Sequence, residues 1–301
     1  MKKTAYLIVL LIVFLTSSIF GKEITPKKYK RIVSLTLSGD EMILSLVNSD
    51  RIVGLSGKIN EDPEISYVVE EAKKFPKVES NIEKMIELDP DLVITADWMK
   101  KEILMQIEET GANVYTYKTP KTFEEQKQLI KELASIVDER ENGEKIVNNM
   151  EQRLRVIQNK IEKNYCGEKL KIMFYTPFET TSGKNTTFDD MVKLIGGINI
   201  AAENGIENSE KINKEKVIEL DPDIIIIPIW DKYTDGEEFL DFFINDISLQ
   251  DLKAVKSKRV IPVKYKVTAP TSQYMIDGIE VLAKKIYNLE ERWFEKRKNR
   301  F

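Results

Sequence analysis

Two segments of the chain share one order of apolar and polar residues. Residues 83–91 read Glu-Lys-Met-Ile-Glu-Leu-Asp-Pro-Asp and residues 215–223 read Glu-Lys-Val-Ile-Glu-Leu-Asp-Pro-Asp, eight identities in nine positions at an offset of 132 residues (215 − 83). An asparagine lies two residues before each segment, at Asn81 and at Asn213. Self-similarity of this kind indicates a duplicated structural unit. We therefore predict two similar lobes.

Each copy predicts a short helix followed by a buried strand. The asparagine can cap free N–H groups at the helix start, an acidic residue in the first turn favours the helix dipole, and Asp-Pro ends the helix. Almost continuous apolar runs follow at 92–96 and 224–227. Such runs are typical of strands that are covered on both faces, as in a parallel sheet between layers of helices.

The rest of the chain continues this alternation. Further strands are predicted at 31–36, 51–56, 113–118, 171–176 and 260–265, with helical stretches between most of them. Strands that alternate with helices predict an α/β fold with mainly parallel sheets, here in two similar lobes.

A polar, proline-free segment from about 123 to 163 carries apolar residues at helical spacing and predicts one or two long helices. We expect this connector to be rigid and to limit movement of the lobes. The corresponding division of the chain is a signal peptide at 1–21, an N-terminal lobe at 22–122, a helical connector at 123–168 and a C-terminal lobe at 169–301.

The first residues have the layout of a secretory signal peptide. Cationic Lys2 and Lys3 precede an apolar run at 5–15 and small residues up to Gly21, near which we place the cleavage site. The run is about half as long as a membrane-spanning helix. Because the only cysteine is Cys166, no cysteine follows the run to carry a lipid anchor. We therefore expect a soluble, monomeric protein of the periplasm.

The chain contains no histidine. This removes the usual ligand of transition metals and the usual general base, which argues against a histidine-ligated metal site and against Ser-His-Asp hydrolysis. The formal net charge of −4 comes from both signs mixed along the chain, and no basic surface for nucleic acid is indicated. No cofactor is predicted.

Motifs of enzymes are poorly matched. Residues 181–184, Thr-Ser-Gly-Lys, are similar to the end of a phosphate-binding loop, but Phe178 stands where that loop needs glycine and Asn185 where it needs Ser or Thr. The alternative to a binding protein is a secreted α/β enzyme that acts on a sugar or phosphate through Asp189 and Asp190. These acids fit the start of a helix equally well.

Several short motifs form one set along the chain. They are 31–35 with Glu41 shortly after, 51–54, 86–94, 181–184 with 196–199, and 272–274 leading into 282–284. Together they resemble the cobalamin and ferric-siderophore class of periplasmic substrate-binding proteins of ABC importers, whose two lobes are joined by one long helix. The resemblance implies a receptor that binds a ferric siderophore, haem or corrinoid between its lobes and delivers it to a permease dimer with its ATPase.

Trp98 and Trp230 occupy equivalent places in the two copies, each just after a predicted buried strand. Ligands of open parallel sheets bind at the carboxyl edge of the strands. The two indoles can therefore flank a large flat ligand, or each can pack within its own lobe.

Other candidate ligand contacts lie in predicted loops after strands or in the 181–184 turn. They are Lys58, Tyr175, Ser182, Lys184, Lys232, Tyr233, Lys264, Tyr265, Lys266 and Tyr274. The lysines suit an anionic ligand but equally suit a solvated surface. The tyrosines can supply ring contacts and hydroxyl groups, or can be partly buried packing residues.

Glu83 and Glu215 are the first acidic residues of the two copies. In the family that the chain resembles, the matching glutamates meet arginines on the two halves of the permease, and the resemblance implies the same role here. A duplicated patch suits a twofold partner. Both acids also fit a simpler role at a helix N-terminus, where Ser80 and Glu83 match a capping box.

Overall fold

A computed structural model describes residues 29–79, 81–230 and 236–289 of the protein. All seven strands predicted from the sequence are present, together with three short strands outside the predicted runs. The strands are β1 Ile32–Ser34, β2 Ile52–Gly54, β3 Leu92–Ala96, β4 Asn113–Tyr117, β5 Lys171–Phe174, β6 Thr180–Ser182, β7 Ile198–Asn199, β8 Ser209–Lys211, β9 Ile224–Ile229 and β10 Val260–Lys264. The predicted signal peptide at 1–21 lies outside the described residues.

Helices connect most of the strands. They are α1 Leu37–Leu46, α2 Val69–Ala72, α3 Ile82–Leu88, α4 Lys101–Glu109, α5 Phe123–Ile136, α6 Arg140–Asn164, α7 Thr187–Leu194, α8 Ile200–Glu203, α9 Lys214–Leu220, α10 Gly236–Asn245, α11 Lys253–Lys256, α12 Tyr265–Thr268 and α13 Met275–Tyr287. Within the described residues, none of the helices has the length and apolar character needed to cross a bilayer.

The two four-stranded sheets share one strand order. The N-terminal sheet runs β2-β1-β3-β4 and the C-terminal sheet runs β7-β5-β9-β10, and all neighbours are parallel. Ile32 lies opposite Leu92 in the first sheet, and Ile172 lies opposite Ile224 in the second. Leu92 and Ile224 are themselves related by the 132-residue offset. The prediction of two similar lobes with mainly parallel sheets is confirmed.

The duplicated helices α3 and α9 begin and end in the same way. Asn81 and Asn213 each accept a hydrogen bond, at 2.9 Å, from the backbone N–H three residues ahead. Asp89, with φ of 42°, and Asp221, with φ of 40°, end the two helices in the left-handed region. Each helix is thereby stopped at a fixed residue, and the chain turns into β3 or β9.

The connector consists of two helices, α5 and α6, which pack against each other. Helix α6 also contacts α1 of the N-terminal lobe and α13 of the C-terminal lobe. One continuous core cluster therefore takes residues from both lobes and the connector, among them Ile32, Leu133, Met150, Ile172 and Ile279. The opposite face of each sheet has its own smaller cluster. The connector is thus part of the core, while the domain limits at 122 and 168 stay predictions.

Asn81→Ala and Asn213→Ala should each lower the free energy of unfolding by about 1 kcal/mol, because each change removes the acceptor for a free N–H at a helix start. The two caps lie in different lobes, so we expect their effects to add in the double variant. Urea unfolding followed by circular dichroism measures this.

Asn148→Ala is the matched control, because Asn148 is exposed within α6 and alanine has the higher helix propensity. If only one of the two asparagine variants lowered the free energy of unfolding, this result would contradict the equivalence of the two copies.

Candidate functional site

Residues that follow strands line two adjoining pockets between the lobes. The pockets have volumes of about 190 and 480 Å³. They share Thr119, Tyr265, Ala269 and Thr271 and so form one interlobe cleft. The carboxyl edges of both parallel sheets meet at this cleft, which is where open α/β folds bind ligands.

Hydroxyl groups and aromatic rings dominate the wall of the cleft, as in Thr119, Ser182, Thr271, Trp98, Trp230 and Tyr265. Among the described lining residues, only Glu41, Lys121 and Lys266 have a side chain that can carry a charge. A surface of this composition suits a large ligand that carries little net charge and offers both flat apolar area and hydrogen-bonding groups.

Trp98 and Trp230 lie on opposite lobes of the cleft. Trp98 lines the smaller pocket and is 64% exposed. Trp230 lines the larger pocket, stacks on Tyr265 with ring centroids 5.3 Å apart, and donates from Nε1 to Asp62 Oδ2 at 3.1 Å. Trp230 is therefore held in place by both lobes, whereas Trp98 presents most of its surface to solvent. That the two indoles flank a ligand stays a prediction.

A polar contact joins the lobes beside the cleft. We call it the interlobe latch and define it as Asp62 and Tyr67 of the N-terminal lobe with Trp230, Lys266 and Tyr274 of the C-terminal lobe. The Tyr67 and Tyr274 rings stack with centroids 4.6 Å apart. Lys266 Nζ lies 4.7 Å from the centre of the Tyr67 ring and donates to the Ser66 carbonyl at 3.1 Å. Lys266 is thereby committed to the contact between the lobes.

Glu41 lies next to the latch and is only 3% exposed. Its carboxylate accepts hydrogen bonds from the backbone N–H of Tyr67 and from Ser272 Oγ, and Gln273 donates to its carbonyl at 2.7 Å. Burial raises the pKa of Glu41 to about 7, although the hydrogen bonds from Ser272 and Tyr67 oppose this rise. A carboxyl that titrates near neutral pH therefore connects the lobes.

Asp40, the preceding residue, stays within the N-terminal lobe. It is completely buried and accepts hydrogen bonds from Ser56 and from Asn60 Nδ2. Burial raises the pKa of Asp40 to about 6, against the effect of these hydrogen bonds. The two adjacent acids thus have separate structural roles.

The structure brings five of the predicted ligand contacts into the wall of the cleft. They are Trp98, Ser182, Trp230, Tyr265 and Lys266, the last of which also belongs to the latch. Lys58, Lys184 and Lys264 are exposed and stand outside the lining of both pockets. Tyr274 also stands outside the lining and belongs to the latch. The predictions at Lys232 and Tyr233 fall outside the described residues.

Tyr175 lies in the core of the C-terminal lobe, so its prediction as a ligand contact is wrong. It is 1% exposed and its ring centre is 5.4 Å from that of Phe243. Its backbone N–H donates to the Ile226 carbonyl at 3.0 Å, which prolongs β5 by one residue. Because side chains alternate along a strand, Tyr175 points to the same face as buried Met173.

The two carboxylates considered for an enzyme make structural contacts. Asp189 is 4% exposed and accepts hydrogen bonds from Lys193 Nζ at 2.6 Å and from Asn199 Nδ2 at 3.2 Å. Asp190 accepts a hydrogen bond from the Phe123 N–H at the start of α5. Within the part of the chain that the structure describes, no cluster of acids and cysteine could hold a metal ion.

Sequence reasoning missed Asp62, Tyr67, Thr119 and Thr271. Asp62 and Tyr67 lie in an irregular segment, and their hydrogen-bond partners are far away in the sequence. Trp230 is 168 residues from Asp62, and Lys266 is 199 residues from Tyr67. A partial signal existed, because Glu41 and the motif 272–274 both belong to the recognised set of motifs. The structure shows that these two motifs are hydrogen-bonded to each other.

Two similar α/β lobes, a helical connector and a cleft at the carboxyl edges of both sheets define a two-lobed substrate-binding protein. The chain matches the periplasmic binding protein family model Peripla_BP_2 over residues 32–266. It therefore belongs to the periplasmic binding protein family. This confirms the resemblance found in the sequence motifs.

Its relatives include substrate receptors of ABC transporters. An uncharacterized ABC transporter substrate-binding lipoprotein of Bacillus subtilis, YvrC, is 26% identical over 89% of this chain and 83% of its own length. The vitamin B12-binding protein of Pectobacterium atrosepticum is 24% identical over 66% of this chain and 71% of its own length. The function of a binding protein is thereby supported over that of an enzyme.

Solved structures share the fold. A possible iron-binding periplasmic protein of Staphylococcus epidermidis superimposes with a TM-score of 0.74 at 22% identity and covers 87% of this chain and 100% of its own. The haem-binding protein RhuT of Roseiflexus superimposes with a TM-score of 0.72 at 23% identity. The match covers 86% of this chain and 98% of RhuT. At these identities the likeness shows the fold alone.

Glu41→Gln should change how stability depends on pH. The pKa of Glu41 rises from its ordinary value of 4.5 to about 7 on folding, so the folded state holds the proton more tightly. The resulting stability is fully present below about pH 4.5 and is lost as the pH rises through about 7. From pH 4.5 to 8 the unfolding free energy of the wild type should therefore fall relative to the variant, by about 3 kcal/mol at most.

Urea unfolding at each pH gives the difference in unfolding free energy between wild type and variant. Asp40 also has a raised pKa, but it is present in both proteins and so contributes to both curves. Glu108→Gln, at an exposed site on α4, is the control for loss of one carboxylate. Parallel pH curves for wild type and Glu41→Gln would contradict the assignment.

Proposed function

We propose that the protein is the extracytoplasmic receptor of an ABC importer and that it binds a corrinoid in the interlobe cleft. The observation that carries this proposal is the wall of the cleft, whose described residues offer hydroxyl groups and aromatic rings but few charges. A corrinoid is a large macrocycle rimmed by amide groups and carries little net charge. The vitamin B12-binding relative is consistent with this ligand.

The few charges of the cleft argue against a strongly anionic iron chelate. Lys266 is committed to the latch, and Glu41 faces Ser272 at the junction of the lobes. Lys121, at the edge of the larger pocket, donates to Asn208 Oδ1 at 3.3 Å. A ferric tris-catecholate would lose its hydration in such a cleft without several cations to replace it. The lining therefore favours a weakly charged ligand.

In this proposal the aromatic side chains supply contact area and the hydroxyl groups supply orientation. Trp98 and Trp230 cover opposite faces of the macrocycle, and Tyr265 extends the surface of Trp230, on which it stacks. Ser182, on β6, contributes a hydroxyl from the C-terminal lobe. Aromatic stacking of this kind favours a flat ring system without fixing its charge.

We further propose that the receptor releases its ligand unaltered. Asp189 and Asp190, the acids that an enzyme would have used, are taken up by contacts that begin or brace helices. Energy for transport then comes from the ATPase of the partner. The signal-like start of the chain supports export, as does membership of the family.

Glu83 and Glu215 are proposed to dock the two lobes onto the two halves of the permease. Both are exposed at the N-termini of α3 and α9. Just before α3, the Val78 N–H bonds to the Leu55 carbonyl beyond the end of β2, and just before α9, the Ile212 N–H bonds to the Glu179 carbonyl beyond the end of β5. The two helix starts therefore lie at the carboxyl edges of their sheets, one on each lobe.

Trp98→Ala should weaken the binding of cyanocobalamin about tenfold, because a buried indole is worth about 1–2 kcal/mol or more at a binding site. Trp98 is largely exposed without ligand, so the change should leave the fold intact. Titration calorimetry, with tryptophan fluorescence as a second readout, measures the affinity.

Tyr175→Phe, in the core of the C-terminal lobe, should bind with unchanged affinity. Ferric tris-catecholate and haem are titrated in parallel. No response to cyanocobalamin, with tight binding of either iron compound, would refute the corrinoid assignment, and recovery of a chemically altered corrinoid would refute the receptor.

The double variant Glu83→Lys/Glu215→Lys should lose at least about nine-tenths of cyanocobalamin uptake in native host cells while keeping its affinity for the ligand, because opposed charges govern encounter and register at such surfaces. The control Glu71→Lys/Glu162→Lys reverses two exposed charges on α2 and α6 and should transport normally. Full uptake by the first variant would remove the docking role, and loss of ligand affinity would assign the glutamates to folding.

A further inference from the structure

Helices α3 and α9 each carry an exposed isoleucine at the same place. Ile86 is 62% exposed and Ile218 is 41% exposed, and the 132-residue offset relates them. One exposed isoleucine on a protein surface needs no explanation. A pair at equivalent positions of both lobes indicates a use that the lobes share.

The single difference between the two nine-residue copies supports this view. It falls at Met85 and Val217, which are both completely buried. The exposed positions of the two helices are identical. Core packing accounts for the retained buried prolines, Pro90 and Pro222, but it does not require the exposed positions to match. The likeness therefore extends to the surface.

An equivalent ion pair lies beside each isoleucine. Lys84 pairs with Glu87 at 2.8 Å on α3, and Lys216 pairs with Glu219 at 2.8 Å on α9. Among the described residues, Glu83 and Glu215 make no ion pair. Each glutamate stands three residues before the isoleucine of its helix, so the two side chains share one helix face. We call Glu83 with Ile86, and Glu215 with Ile218, the two docking patches.

The neighbouring helices extend both patches. In the N-terminal lobe, Ile86 lines a groove of about 450 Å³ between α3 and α4 together with Ile82, Met85 and Pro90. In the C-terminal lobe, Phe242 on α10 is 59% exposed, and the Nζ of Lys214 at the start of α9 lies 5.0 Å from its ring centre. Each patch is therefore an acid beside an apolar surface, not an isolated side chain.

We propose that Ile86 and Ile218 insert into apolar sockets on the two permease subunits, each socket lying beside the cation that pairs with Glu83 or Glu215. The proposal rests on the proposed function, which makes a twofold permease the partner. The glutamates then supply register and a salt-dependent attraction, and the isoleucines supply affinity that salt does not screen. An anionic bilayer is a poor partner because both patches are acidic, and a second copy of the chain would oppose like charges.

Binding to right-side-out membrane vesicles of the native host, made from cells without their own copy of the protein, tests the proposal. The labelled double variant Ile86→Ser/Ile218→Ser should bind at least about tenfold more weakly than the wild type. The loss should be the same at low and high salt. Glu83→Lys/Glu215→Lys should instead bind weakly and reverse the salt dependence, because salt screens the new repulsion between like charges. Ile247→Ser is the matched control, because Ile247 is 90% exposed but lies outside the two duplicated segments.

A photoreactive phenylalanine at position 86 or 218 identifies the partner. We expect both positions to cross-link to one membrane-spanning subunit of the importer. Position 162 on α6 serves as the control and should give no cross-link to that subunit. Cross-links to a second copy or to lipid would overturn the proposal. The proposal would also fail if the isoleucine variant bound as tightly as the wild type, or if Ile247→Ser lost as much affinity. Failure of the proposed function would appear separately, as no fluorescence response of the wild type to cyanocobalamin.

Discussion

The burial of Glu41 at the junction of the two lobes is the constraint on which the cleft depends. A buried carboxyl is costly unless its oxygen atoms find hydrogen-bond donors. Here one donor comes from each lobe, the Tyr67 N–H and the Ser272 hydroxyl. Glu41 is therefore satisfied only when the lobes keep one relative position. That position also sets the spacing between Trp98 and Tyr265 across the cleft.

The shared core reinforces this constraint. Helix α6 contacts a helix of each lobe, and the same buried cluster continues from Ile32 through Met150 to Ile279. A protein with a separate core in each lobe could hinge freely between them, but separation of these lobes would expose apolar surface and break the latch at once. That closure is small on ligand binding stays a prediction, and the packing explains why we expect it.

Sequence reasoning succeeded where the signal was local and duplicated. The local pattern predicts the helix caps at Asn81 and Asn213 and the helix ends at Asp89 and Asp221, because each depends on residues within one helical turn. It also predicts the strands that follow. That the two sheets share one strand order also follows from the repeat, because similar units fold alike. The predicted parallel sheets placed the site at the carboxyl edges of the strands, and the resemblance placed it between the lobes.

The site was predicted only in part, because position after a strand determines the edge but not the direction of a side chain. Tyr175 follows β5, yet the extra backbone hydrogen bond to Ile226 keeps it in the strand and its ring in the core. Lys58, Lys184 and Lys264 reach the correct edge but stay in solvent. Asp62 and Tyr67 depend on partners in the other lobe, which no local pattern could reveal.

The pKa of Glu41 links the latch to the energy needed to part the lobes. Below about pH 7 the buried carboxyl is protonated and its burial costs little, so separation only breaks hydrogen bonds. Above that pH Glu41 is a carboxylate in a buried site that disfavours its charge. Separation of the lobes would expose the carboxylate to water and remove this unfavourable free energy. Separation of the lobes is therefore easier above pH 7 than below it. A partner that holds both lobes would therefore act on a junction at Glu41 that alkaline pH already weakens.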